Sequence, residues 1–184
     1  MYGLLLVALS SLAIAACGSG GRTNGHASKA QTPAASSGSG SSVTERATVS
    51  IGTAVHVTNT PTKAFRVKPV DTTESVAVGP TGYPVYTFQG ETTQHIICHK
   101  TASAKTNCWA FWPPVSVSSS NDIRKQSGIS GELGTFSNHG VLQLTLNGQP
   151  LYYFTPDLKS KNTTQASGDA IKTFGSIWHI VAPR

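Results

Sequence analysis

The chain has 184 residues and a formal net charge of +6, with 12% charged and 38% hydrophobic residues. That is enough apolar content for one ordinary domain. The cations stand singly, with no basic helix and no aromatic–basic alternation, so the charge reads as solubility and mild attraction to anionic surfaces rather than nucleic-acid binding.

Residues 4–16 form an apolar run that ends at Cys17. It has the length of a signal-peptide core and is too short to span a bilayer comfortably. Residues 1–16 carry no Lys or Arg, an unusual start for a signal peptide that a start codon lying further upstream would explain. Ile14-Ala15-Ala16-Cys17 resembles the lipobox of bacterial lipoprotein signal peptides. The resemblance implies cleavage before Cys17 and a diacylglycerol on its thiol. Residues 1–16 are then a lipoprotein signal peptide, and the mature protein sits outside the cytoplasm, lipid-anchored on the outer face of the cell membrane.

From Gly18 to Arg46 the chain is mostly Gly, Ser, Thr and Ala, with Val43 its only large apolar residue. Nothing there offsets the entropy of ordering, so residues 17–47 read as the lipidated Cys and a flexible tether. A random coil of about 29 residues reaches roughly 30 Å on r.m.s. average.

Residues 48–184 are the expected domain, with eight Lys and three Arg against seven acidic residues. Val49, Ile51, Val55 and Val57 alternate with smaller or polar residues, the period of a half-buried strand. Phe65-Arg66-Val67-Lys68 reads as a shorter strand, and Ser75-Val76-Ala77-Val78 leads through a Gly79-Pro80-Thr81-Gly82 turn to a strand ending at Phe88. Asn121 to Gln126 could form a helical turn capped by Asn121; no other segment has a helical period. Leu133-Gly134-Thr135-Phe136 is a strand, followed by a hairpin of residues 141–146 and 149–154 about Asn147-Gly148. Asn-Gly suits a type I′ turn, whose register sets Leu144 opposite Leu151, Leu142 opposite Tyr153, Gln143 opposite Tyr152 and Val141 opposite Phe154. Ile177-Trp178-His179-Ile180-Val181 is the last strand. Leu142, Leu144, Leu151, Trp178 and the motif aromatics below are the expected core.

The sequence echoes itself. Gly82-Tyr83-Pro84-Val85-Tyr86-Thr87-Phe88 and Gly148-Gln149-Pro150-Leu151-Tyr152-Tyr153-Phe154 share the form Gly-x-Pro-aliphatic-Tyr-x-Phe. Each is followed by a carboxylate, Glu91 or Asp157, and later by a tryptophan strand. The period of 66 residues implies two related repeats, about 76–117 and 133–183. The expected fold is all-β: a small sandwich- or barrel-like domain built from two similar hairpin units with approximate two-fold symmetry.

Tyr152-Tyr153-Phe154-Thr155-Pro156-Asp157 and Tyr86-Thr87-Phe88-Gln89-Gly90-Glu91 resemble the Tyr-x-aromatic-x-x-Asp motif of the bacterial secreted-repeat lipoproteins, the second with Glu for Asp. Cys108-Trp109-Ala110-Phe111-Trp112-Pro113-Pro114 is similar to that family's Cys-x-x-x-Trp-Pro-Pro segment, and residues 147–154 to its Asn-Gly-His-Pro-Leu-Tyr-Tyr-Phe segment. The resemblance implies a lipid-anchored extracytoplasmic β-domain and brings no established activity.

Six motif residues follow: Tyr86, Phe88, Glu91, Tyr152, Phe154 and Asp157. The aromatics read as core rather than as a ligand-stacking platform. The carboxylates read as acceptors of backbone N–H groups that fix turns rather than as cation ligands or an acid/base pair. With Cys17 lipidated, Cys98 and Cys108 are an even pair in an oxidising compartment and are expected to be bonded to each other. The alternative is a copper or zinc site of His95, Cys98, His99 and Cys108, although the spacing is no standard ligand pattern. No nucleophile elbow and no phosphate loop occur. The expectation is a non-enzymatic binding or structural module of the cell envelope, without cofactor and without a nucleic-acid partner, held at the membrane by its lipid and able to bind an envelope protein or ligand. A metal-binding envelope protein and an envelope enzyme of unknown reaction are the alternatives.

Overall fold

The computed structural model of the protein describes residues 46–60 and 65–183. The expected signal peptide, Cys17 and nearly all of the expected tether lie outside the described residues. Residues Ser42–Arg184 group as one compact unit. Among the described residues the domain is all-β, with one short α-helix and a 3-10 turn at Cys108–Ala110.

Strand β1 (Ala47–Thr58) begins one residue before the expected domain start. It pairs antiparallel with β2 (Asp71–Val78), and the register shifts between Gly52 and Val55. The shift is a bulge, with Ala54 at φ 54°. Glycine is required at 52, since a Cβ there would lie 2.8 Å from Val78 Cγ1. Two short parallel partners also join β1, namely β5 (Ile123–Lys125) at its start and β9 (Gln165–Ala166) at its end.

A second sheet runs β10 (Ile171–Thr173), β11 (Ser176–Ile180), β3 (Tyr86–Phe88), and a third runs β4 (Ser116–Val117), β7 (Val141–Leu146), β6 (Leu133–Asn138), with β8 (Gln149–Pro150) also on β7. Asn147 and Gly148 both have positive φ, 53° and 72°, as a type I′ turn requires.

The hairpin register holds only near that turn. Thr145 pairs Pro150, Leu146 pairs Gln149, and Leu151 N–H donates to the Leu144 carbonyl at 2.9 Å. Beyond that point the arms part. Leu142 faces Val117 and Ser137, Gln143 faces Ser116 and Phe136, and Val141 faces Asn138. The predicted Leu142–Tyr153, Gln143–Tyr152 and Val141–Phe154 pairs do not form, because residues 113–117 enter between the arms. Val115 N–H donates to Leu151 at 2.9 Å, while Leu144 N–H donates to Val115 at 2.8 Å.

The same wedge occurs 66 residues away. Val181 N–H donates to Val85 at 3.1 Å, Ala77 N–H donates to Val181 at 2.7 Å, and Val85 N–H donates to Ala77 at 3.1 Å. Each hairpin is therefore wedged by the segment that follows the other repeat's tryptophan. At the centre of this exchange Tyr86 and Tyr152 pair directly, with N–H to carbonyl distances of 2.8 and 3.0 Å.

Three other expectations need correction. Asn121 to Gln126 does not form a helical turn; it carries β5, because pairing with β1 supplies hydrogen bonds that a lone turn cannot. Phe65-Arg66-Val67-Lys68 makes a single bridge, Arg66 to Ile171, rather than a strand. Helix α1 (Thr155–Ser160) forms where no helix was read. Its six residues are too few to show a period, and Pro156 at the first turn presets the backbone.

The core lies in two clusters. One gathers Tyr86, Phe88, Trp112, Tyr152, Phe154 and Trp178 with Val55, Val57 and the two cysteines. The other gathers Leu144, Leu151, Val85, Val115 and Val49. Leu142 is half-buried, less covered than the alternation suggests.

Candidate functional site

The motif aromatics build one continuous stack. Trp112 and Trp178 lie face to face with ring centroids 3.9 Å apart. Phe88 stacks on the outer side of Trp178 at 4.2 Å, and Phe154 on the outer side of Trp112 at 4.2 Å. Tyr86 meets Trp112 edge-on at 5.4 Å, and Tyr152 meets Trp178 edge-on at 5.2 Å. All six rings are at most 3% exposed, so they present no platform to solvent. Gly168 closes over this core, where a Cβ would lie 2.8 Å from Trp112.

Both motif carboxylates are buried, with Glu91 1% and Asp157 2% exposed. Glu91 Oε1 accepts the N–H groups of Ile97 and Cys98, both at 2.8 Å. Asp157 Oδ1 accepts the Ser167 N–H at 2.9 Å and the Ser167 hydroxyl, and its Oδ2 accepts the Tyr86 hydroxyl at 2.6 Å. Each carboxylate thus ties down a long loop. Burial raises both carboxyl pKa values above their ordinary range, and the hydrogen bonds they accept partly offset this.

The two ends are not equivalent. The Tyr86 hydroxyl is pushed well up by burial and by Asp157, and it also accepts the Gly168 N–H at 3.2 Å. The Tyr152 hydroxyl lies beside Glu91 and is raised by burial and that charge, yet neither it nor Glu91 Oε2 completes a hydrogen bond of normal geometry.

Cys98 and Cys108 form a disulfide with Cα atoms 5.3 Å apart. Both sulfurs are thereby committed to each other. Of the four donors in the alternative metal set, only His95 and His99 keep a free ligating atom, and both are exposed. Among the described residues no group of three or more His, Cys, Asp or Glu is placed to hold a metal ion. His99 lies instead against His139 at 6.2 Å, and His139 against Trp109 at 5.8 Å.

One concave surface among the described residues was not visible in the sequence. A groove of about 780 Å³ opens between Phe65, Phe111 and Phe174, over Trp112 and Phe154. Phe65 is 57% and Phe111 50% exposed, the former beside the 54% exposed Val67. Phe111 and Phe174 have ring centroids 6.2 Å apart. These residues come from segments far apart in the chain, so no local spacing announces them. The nearest signal is Phe111 itself, an aromatic within a motif segment whose neighbour Trp112 is wholly buried.

Residues 137–182 match the model of a family described as a secreted repeat of unknown function. The match bears out the family resemblance over these residues, which hold the hairpin, Asp157 and Trp178; the Tyr86–Glu91 and Cys108–Pro114 segments lie outside it. The family's description as secreted points to a location outside the cytoplasm. No curated protein and no solved structure matches this chain.

Proposed function

We propose that this secreted-repeat protein is a non-enzymatic binding module, held on the outer face of the cell membrane by a lipid on Cys17 and presenting its β-domain to an envelope component or ligand. The observation that carries the reading is the groove. Soluble domains seldom leave large aromatics half exposed around a concavity unless something binds there. The motif carboxylates support the same reading, since both are engaged in loop-fixing hydrogen bonds deep in the fold, remote in character from an accessible acid/base pair.

The anchor is tested by Cys17→Ser in cells. The expected result is loss of the protein from the detergent phase on partitioning; a variant that partitions like wild type overturns the anchor. The choice of binding module over metal protein is tested by elemental analysis of protein purified from an oxidising compartment without added metal. Stoichiometric copper or zinc, lost on replacing His95 or His99, overturns the reading.

A further inference from the structure

The groove has a one-sided charge. Its aromatic walls carry two cations, Lys105 and Lys172. A shallower hollow of about 310 Å³ adjoins it, shares Phe65 and Lys172, and adds Arg66. Among the described residues no Asp or Glu lines either hollow. Among the described residues neither Lys105 nor Lys172 is held in an ion pair. An apolar trough whose charged lining, among the described residues, is cationic is complementary to a molecule with an apolar body and an anionic end. Its volume falls within the roughly 300–1,000 Å³ of small-molecule sites. The trough is concave and floored by the edge of the buried stack, which suits one enclosed chain better than a flat bilayer surface.

We infer that the groove binds a single anionic amphiphile. Its acyl chain lies between Phe65, Phe111 and Phe174, and its carboxylate or phosphate meets Lys105 and Lys172. The inference rests on the binding-module reading and names the ligand class of that module. Phe65 and Phe111 supply the apolar walls. The lysines supply charge-assisted hydrogen bonds that a neutral chain of the same length cannot use.

The test uses the intact protein in its own membranes and palmitate bearing a diazirine in its chain. After irradiation, labelled peptides are mapped by mass spectrometry. The expected result is saturable labelling at residues 105–112 and 171–175, displaced by unlabelled palmitate and not by hexadecanol. Displacement by palmitoyl lysophosphatidic acid in place of palmitate identifies a phosphate headgroup as the preferred source of the anion. Lys105→Gln with Lys172→Gln should lower labelling about tenfold, the scale of losing a hydrogen bond to a charged group. Phe111→Ser should lower it comparably. The lysine variant changes only exposed side chains, so it keeps the test readable if Phe111→Ser fails to fold. Absent labelling at these peptides overturns the proposal. Labelling that does not saturate, or that hexadecanol displaces equally, also overturns it and makes the groove a bilayer-contacting surface. If Cys17→Ser shows that the anchor reading fails, labelling is read in whichever fraction holds the protein, so the two failures stay separate.

Discussion

Trp112 and Trp178 stack with planes 4° from parallel and centroids 3.9 Å apart, each supplied by the corresponding position of a different repeat. The contact lies at the centre of the exchange in which each repeat's tryptophan-bearing segment wedges open the other's hairpin. Each indole is covered on its second face by the motif phenylalanine of the opposite repeat: Phe154 covers Trp112 and Phe88 covers Trp178. The domain therefore cannot be cut between its repeats without exposing both halves of the stack.

Trp178→Ala should cost about 3–5 kcal/mol, the usual price of removing a fully buried aromatic. Trp112→Ala should cost a similar amount, and the double variant less than the sum, because each single change already breaks the shared contact. Denaturant unfolding of the singles and the double checks this, and strict additivity would contradict the stack.

Tyr86→Phe and Tyr152→Phe should differ. Removing the Tyr86 hydroxyl strips a partner from Asp157 and from the Gly168 N–H, which should cost about 1–3 kcal/mol. The Tyr152 hydroxyl lies beside Glu91 but completes no hydrogen bond of normal geometry, so its removal should cost less than that of Tyr86, under about 1 kcal/mol. Equal losses in the two urea midpoints would refute the asymmetry.

Burial holds the Glu91 carboxyl above its ordinary value of 4.5, against the lowering effect of the Cys98 and Ile97 N–H groups, the Tyr152 hydroxyl and His99. For an acid raised in this way the native state keeps a proton that the unfolded chain has released. The group's contribution is thus fully present below 4.5 and is lost as pH rises through the folded value. Glu91→Gln cannot titrate and can still accept the two backbone N–H groups. Relative to wild type, its Tm should rise between about pH 4 and about pH 7. A gap that stays flat or moves the other way refutes the shift. Asp157 acts with the same sign in both proteins and cancels in the comparison.

The Cys98–Cys108 bond closes a loop with a sequence separation of 10. Replacing both residues by Ser should cost on the order of 2–3 kcal/mol through the freed unfolded chain. Peptide mapping without reductant should recover the two cysteines joined. Recovery of free thiols from protein kept under oxidising conditions would count against the bond.

Much of this protein was legible in order along the chain. The alternation of β1, the Asn147-Gly148 turn, the repeated Gly-x-Pro-aliphatic-Tyr-x-Phe and the even cysteine pair depend on neighbours within a few residues, and local geometry carries such signals reliably. Helix α1 escaped because six residues are too few to display a period, and β5 escaped because its strand character comes from β1.

By itself the sequence determined the all-β class, the turn, the aromatic and carboxylate pairs and the 66-residue echo, since alternation and turn chemistry act locally. Only the tertiary structure decided that the wedging segments change places between repeats, that Tyr86 serves the carboxylate of the other repeat, and that Phe65, Phe111 and Phe174 share one groove with Lys105 and Lys172. These are contacts between distant segments. Their partners are chosen by which arrangement buries both tryptophans and satisfies the wedged backbone at once, a condition of the whole chain that no short window of it contains.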